Sequence, residues 1–321
     1  MTKFNFIALG DTVTDAFITL KDVRIDTDAD AEDNGLEEIC LRFGDKIPYE
    51  KLDVVPGVGN SANAAVSANR LGISTALITD IGADTFGKEI IDYFDTEKLD
   101  RTYVRQHDGV PTNYHFVLSH NAERTILVKH EHYPYELPAF EAPKMLYLSS
   151  LGEGTEKYHD AIADFAEKNP DMMLAFQPGT FQMKLGHEKL SRLYKRTDLF
   201  FANKEEYQRI LNSKKSAAEE LLKEMRALGV KTPVLTDGRA GAYAYEGENI
   251  VHVDMFPDPA PPVERTGAGD AFSSTTAAYV SEGMSLSDAM TRGTVNSAYV
   301  VQKIGAQAGL LTRDELESKL S

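Results

Sequence analysis

Four consecutive residues, Gly267-Ala268-Gly269-Asp270, are of the types that can handle phosphate. A run suited to a helix follows through Ser273, Thr276, Ala277 and Val280. The glycines therefore stand where a helix's first backbone N–H groups lack partners and its dipole is positive. An anion can rest against such amides, and glycine is called for because a side chain would hold it away. A carboxylate beside a bound phosphate is unfavourable unless it has work to do, and accepting the proton of an attacking hydroxyl is such work. Taken alone, the four residues also fit a tight strand-to-helix turn in which Asp270 is only a cap.

Further polar sets stand at the ends of apolar runs. Gly10-Asp11 closes the run Phe4 to Leu9, and Asp15 lies just beyond, where it either accepts hydrogen bonds from a polyol or faces water. Ligands of open parallel sheets bind at that carboxyl edge. Pro56-Gly57-Val58-Gly59-Asn60-Ser61-Ala62-Asn63 is a glycine turn leading into a helix of small residues that stops at Gly72, with Asn63 facing a ligand or the sheet. Asn203 and Glu206, three apart at a helix entry, share a face. An amide and a carboxylate there suit a hydrated Mg²⁺, and equally a capping box. Thr236-Asp237-Gly238-Arg239-Ala240-Gly241 is a loop against which a nucleotide can lie, although hairpin turns look the same.

Three patterns point elsewhere. Gly57 to Ala62 satisfies G-x-G-x-x-A, with Asp80 where a ribose-binding acid would stand. That fingerprint belongs to a first strand-to-helix turn, whereas Phe4 to Gly10 already supplies the first strand and Pro56 interrupts the approach. Gly82 to Lys88 satisfies G-x-x-x-x-G-K, but Glu89 replaces the needed Ser or Thr and Asp84 would repel phosphate, so Asp84 is read as the N-cap of a helix through Ile90 and Ile91. His130-Glu131-His132 has no third ligand in sequence and is read as exposed surface.

The elements that must position these groups follow from composition and pattern. A chain of 321 residues can bury a large core, and 1–321 is read as one α/β domain. The formal charge of -16 argues against nucleic acid or an anionic membrane as partner and requires phosphate to be held locally, by amides, metal ions and a few cations. The single cysteine, Cys40, excludes an internal disulfide and any multi-thiolate site. No apolar run is long enough for a signal-peptide core or a membrane span, and a soluble, cytoplasmic protein is expected. Short apolar runs at Met145 to Leu148, Met172 to Phe176, Leu199 to Ala202 and Pro233 to Thr236 alternate with helical stretches at Tyr158 to Lys168, His187 to Lys195, Glu205 to Leu211 and Ala217 to Leu228. This rhythm predicts a mainly parallel sheet covered on both faces. After the acidic run Asp26 to Asp33, Ile39, Leu41 and Phe43 alternate with polar or small neighbours. A second patch, Thr112 to Leu118 and Arg124 to Val128, is joined through His120-Asn121-Ala122-Glu123. Together they predict a small β flap inserted over approximately 16–52 and 102–130, of the kind that excludes water or pairs with another subunit.

In their order and spacing, Gly10 with Asp15, Gly57 to Asn63 with Arg70-Leu71-Gly72, Gly82 to Gly87, Asn203 to Glu206, Thr236-Asp237-Gly238 and Thr266 to Asp270 resemble the ribokinase-like sugar kinases, also called PfkB carbohydrate kinases. The resemblance covers nearly the whole chain. It implies a ribokinase-like three-layer sandwich with a mainly parallel central sheet and a small inserted β-sheet lid. It also implies phosphorylation of a sugar hydroxyl by ATP, with a nucleoside as the alternative acceptor. Carried over by position, Asp270 is the base, and Gly267, Ala268 and Gly269 supply amides to the transferring group. Asp15, Gly57, Gly59 and Asn63 hold the acceptor. Asn203 and Glu206 order Mg²⁺ through water, Thr236, Gly238 and Asn296 contact the nucleotide, and the lid joins a homodimer. Gln177 to Thr180 and Ser149-Ser150 stand where relatives vary their sugar contacts.

The chain departs from the pattern at Glu264 and Arg265, where the family has an aspartate and a small hydroxyl residue near a monovalent-cation loop, so potassium activation stays open. Val13 and Thr14 replace ribokinase's asparagine before the aspartate, which disfavours ribose itself. Two non-kinase readings stand beside this one: an NAD-binding oxidoreductase built on Gly57 to Ala62, and a catalytically silent sugar-binding module of the same fold.

Overall fold

The computed structural model describes residues 3–21, 23–27, 37–120 and 123–320. Its largest element is a nine-stranded sheet. In spatial order the strands are Asn249–Val253, Ala242–Glu246, Thr232–Thr236, Leu199–Asn203, Met173–Phe176, Met145–Leu148, Phe6–Leu9, Thr75–Gly82 and Val104–His107. All neighbouring pairs are parallel except those of the terminal hairpin, Ala242–Glu246 with Thr232–Thr236 and with Asn249–Val253. Strands covered on both faces must be apolar throughout. Phe6–Leu9 and Met145–Leu148 accordingly are buried at every position.

Alternate residues of these strands feed two cores. Phe6, Ala8, Leu77, Tyr147 and Phe201 face one, packed under the helices Asn60–Arg70, Ala268–Ser281 and Leu286–Val300. Ile7, Leu9, Ile78, Leu146 and Phe200 face the other, under Glu156–Lys168, Lys204–Leu211 and Ala218–Ala227. The result is the predicted mainly parallel sheet between two helical layers. The hairpin was not foreseen, although Tyr243 and Tyr245 alternate with alanines ahead of Gly247. Of the helix expected over His187 to Lys195 only the short Ser191–Arg196 forms, and another short helix, Thr180–Leu185, precedes it and is stopped by Gly186 at φ 88°.

A smaller four-stranded sheet, ordered Tyr49–Val58, Val13–Leu20, Tyr114–His120 and Glu123–Leu127, stands over the carboxyl edge of the large one. Of the stretch 102–130, Val104–His107 joins the large sheet and the smaller sheet starts at Tyr114. The alternation expected through Phe43 stops earlier, because the strand Glu37–Cys40 pairs with Arg24–Thr27 and leaves Leu41 and Phe43 exposed. The acidic run beyond Thr27, and Asn121 and Ala122 of the expected connection, lie outside the described residues. No helix among the described residues is long and apolar enough to cross a membrane.

Candidate active site

Asp270 lies in the first turn of Ala268–Ser281, whose N-cap is Gly267 at φ 84°. A Cβ at Gly267 would stand 2.5 Å from Ala306, so glycine is required there by conformation and by space. A Cβ at Gly269 would meet nothing within 4 Å. One glycine fits the chain together, and the other leaves the helix start bare toward a cavity of about 400 Å³ that both residues line.

The carboxylate of Asp270 is held from three sides. Asn60 Nδ2 donates to its Oδ1 at 2.9 Å, Asn63 Nδ2 to its Oδ2 at 2.6 Å, and Gln177 Nε2 to its Oδ1 at 2.8 Å. Asn60, Asn63 and Ser67 recur at helical spacing on one face of Asn60–Arg70. Ala62, Ala64, Ala65 and Ala68 of that helix are small and buried as well. Ser67 Oγ meets Thr275 Oγ1 at 3.4 Å along the seam with Ala268–Ser281.

Behind these donors a second set fixes their orientation. Asn63 Oδ1 accepts from Gln307 Nε2 at 2.7 Å, which also donates to the carbonyl of Gly57 at 2.9 Å, and Tyr93 Oη donates to Gln307 Oε1 at 2.6 Å. Tyr147 Oη donates to Gln177 Oε1 at 2.6 Å, leaving the Gln177 amide to point at Asp270. Burial pushes the Asp270 carboxyl above its ordinary pKa, while hydrogen bonds from Asn63, Gln177 and Asn60 to the charged form pull the other way.

The far wall of the cavity comes from the smaller sheet. Asp15 lies opposite His115 in register, its Oδ1 3.4 Å from His115 Nδ1. Asp15 Oδ1 and His115 Nε2 are buried without a hydrogen-bond partner. Arg124, from the same sheet, reaches to 3.5 Å from Glu264, whose carboxylate also accepts from the N–H and hydroxyl of Thr266. Gly59 lines this cavity, but Gly57 does not: its Cβ position faces Tyr93 at 2.8 Å, behind the site. His130, expected on the surface, is buried in this wall and bonded to Asp11 Oδ2 at 2.6 Å. Asp11 lies 119 positions away, so their meeting depends on the fold alone.

A second cavity of about 380 Å³ adjoins the first and is lined by Thr236, Gly238, Gly241, Met255, Ser297 and Ala298 among others. The two share Thr236, Arg265, Ala268, Gly269 and Phe272. Asn296, expected at the nucleotide, does not line it. The residue is fully buried, with its Nδ2 on Thr275 Oγ1 at 2.8 Å and its Oδ1 on the N–H of Leu311 at 2.9 Å. The outward face of its helix is Thr294, Ser297 and Ala298 instead.

Asn203 and Glu206 do form a reciprocal capping box, Glu206 N to Asn203 Oδ1 at 2.8 Å and Asn203 N to Glu206 Oε2 at 2.9 Å, and both line the larger cavity. Burial first, and then the negative charge of Asp270, push the Glu206 carboxyl up against the opposing hydrogen bond from Asn203. Two carboxylates crowding one cavity wall suit a hydrated divalent cation between them. Among the described residues no cluster of three or more His, Cys, Asp or Glu could hold a metal directly.

The competing patterns resolve structurally. Gly57 and Val58 end a strand of the smaller sheet, and Asp80 is bound to Arg105 at 2.8 Å and His107 at 2.6 Å, so no dinucleotide turn exists there. Asp84 caps its helix by accepting from Gly87 N at 2.9 Å, and Thr112 donates to it as well.

Comparison with known proteins agrees with this geometry. Residues 34–313 match the model of the pfkB family carbohydrate kinases. An ATP-dependent 6-phosphofructokinase of Thermoanaerobacterium thermosaccharolyticum is 26% identical over 295 residues, covering 88% of this chain and 90% of that protein. The Arabidopsis thaliana ribokinase complexed with ribose and ATP superposes with a TM-score of 0.81 at 18% identity, covering 100% of this chain and 99% of that one. The nucleoside kinase of Methanocaldococcus jannaschii gives a TM-score of 0.80 at 18% identity, with 100% and 99% covered. An acid braced by amides at a bare helix start, two adjoining cavities and a match across most of the sequence lead to one assignment: this chain belongs to the pfkB family of carbohydrate kinases, phosphotransferases that act on a hydroxyl.

Proposed function

We propose that the protein transfers the γ-phosphoryl group of ATP to a hydroxyl of a sugar, a nucleoside being the alternative acceptor. The observation that carries this reading is the Asp270 carboxylate, held by Asn60, Asn63 and Gln177 where the two cavities join. The acceptor lies in the larger cavity and the nucleotide in the smaller, along Thr236 and Gly238. As the acceptor oxygen bonds to the γ-phosphorus, the bond from that phosphorus to the β,γ-bridging oxygen breaks, ADP leaves with the electron pair, and the hydroxyl proton passes to Asp270. The amides of Gly267, Ala268 and Gly269 hold the equatorial oxygens in flight.

Asn203 and Glu206 would hold Mg²⁺ through water, and when bound it neutralises phosphate charge. Asp15 and His115, with a buried acceptor and a buried ring nitrogen unpartnered, suit neighbouring hydroxyls of a polyol. The relatives' names divide between sugar and nucleoside kinases, which is why both acceptors are kept. The exposed face of the smaller sheet is proposed as a homodimer contact.

The test is ADP release from ATP-Mg with hexoses, ketoses, pentoses and nucleosides in turn, followed by Asp270→Ala on the best acceptor. Loss of a general base costs roughly 10²- to 10⁴-fold in kcat. Near-normal turnover by the variant would reject Asp270 as the base. No turnover by the native protein with any acceptor would favour the silent sugar-binding module.

A further inference from the structure

Among the described residues, Arg265 is the one charged residue that lines both cavities. It sits on the loop between Glu264 and the glycines at the helix start, and is itself exposed. The neighbouring arginine in the larger cavity, Arg124, lies 3.5 Å from Glu264, and Lys204 at the edge of the site is bound to Asp237 at 3.0 Å. Arg265 has no hydrogen-bond or ion-pair partner among the described residues. The loop that carries it is anchored, because Glu264 is buried and accepts from the N–H and hydroxyl of Thr266, and Gly267 fits against Ala306. An uncommitted guanidinium thus stands on a fixed loop at the join through which the phosphoryl group must pass.

We infer that Arg265 is a catalytic residue that grips the γ-phosphoryl group during its transfer. The inference rests on the kinase reading above and goes further by assigning a cation to the phosphoryl in flight. A planar guanidinium offers paired N–H groups to phosphate oxygens, and an arginine supplied in cis stabilises the charge that develops on the transferring group. In a chain of net charge -16, and with Asp270 and Glu206 both on the cavity wall, such a local cation offsets the repulsion that a phosphate meets. The other unpartnered arginine of the nucleotide cavity, Arg239, lies on the loop with Gly238 and lines the smaller cavity alone. Its influence should not depend on the γ-phosphate.

The experiment compares ATP-Mg and ADP-Mg binding by calorimetry in the native protein, Arg265→Met, Arg265→Lys and Arg239→Met, with circular dichroism to confirm folding. Loss of a charge-assisted contact to the γ-phosphate should weaken ATP binding by Arg265→Met roughly 10- to 100-fold and leave ADP binding within about 2-fold. Arg265→Lys should recover part of the loss, and Arg239→Met should affect both nucleotides alike. With an acceptor that the native enzyme turns over, Arg265→Met should also lower kcat more than it raises the acceptor KM. Equal weakening of ATP and ADP by Arg265→Met, or an unchanged ATP affinity and kcat, would overturn the role of Arg265 alone. A native protein that binds neither nucleotide would overturn the kinase reading with it.

Discussion

Among the described residues, side-chain amides and no cation hydrogen-bond to the Asp270 carboxylate, and this sets how its proton affinity can be tuned. Its pKa is raised, by burial above all, and the amide donors limit the rise. Activity that needs the ionised form should therefore fall on the acid side at a pH above the ordinary carboxylate range. Removing a donor to the charged form raises the pKa further, so Gln177→Leu should move the acid limb of kcat/KM to still higher pH. An acid limb that stays put in pH-rate measurements would count against Asp270 as the titrating base. The helix start at Gly267, with Asp270 in its first turn, was legible in the sequence because an acid beside glycines ahead of a helix-forming run is a local pattern. The residues that aim Asp270 were not, because Asn60 and Gln177 lie 210 and 93 positions away. The spacing of Asn60 to Asn63 was the available signal for the first. Asn296 was misread because a polar residue within a helix carries no mark of which way it faces.

At the scale of elements, the helix start and the capping box each yield a prediction. Gly267→Ala forces a left-handed φ and a close contact with Ala306, and should lower stability by about 1–3 kcal/mol in denaturant titration. Gly269→Ala meets open space, and its melting temperature should hold or rise slightly, since Ala exceeds Gly by up to about 1 kcal/mol within helices. Its kcat should nonetheless fall, because the methyl group occupies the space proposed for phosphate oxygens. A Gly269→Ala enzyme of full activity would remove the helix start from the mechanism. For the Asn203 and Glu206 pair, Glu206→Gln should raise the Mg²⁺ concentration needed for half-maximal rate; an unchanged magnesium titration would leave it a cap only. The strands were legible because burial on both faces leaves uninterrupted apolar runs. The terminal hairpin was harder to see, since its outer strand, Asn249–Val253, is largely exposed and mixes polar and apolar residues.

Over the whole molecule, the smaller sheet uses both of its faces. Asp15, His115, Arg124 and Ile126 point into the larger cavity. The alternate positions Val54, Ala16, Phe116 and Leu127 form one row across the four strands. Leu52, Val54, Phe116 and Leu127 are each 43–52% or so exposed, a broad apolar surface for a single chain. The proposed homodimer would cover it. Phe116→Glu combined with Leu127→Glu should convert a dimer to a monomer in sedimentation equilibrium, and a native protein that sediments as a monomer at micromolar concentration would sink the proposal. The second patch of alternation in the sequence marked two strands of this sheet, Tyr114–His120 and Glu123–Leu127, whereas the first belongs to a separate strand pair, and the division into a cavity face and an outer face depends on register. That register emerges only when the four strands are paired.

The tight seam between Asn60–Arg70 and Ala268–Ser281 has a consequence for how such a protein could diversify. A bulkier residue at Ser67 would wedge the helices apart and misalign Asp270, so this half of the molecule is frozen by its own closeness. The strands carrying Asp15, His115 and Ile126 carry no such burden. A lineage could redraw what it feeds on there, one alternate residue at a time, while inheriting its reaction unaltered.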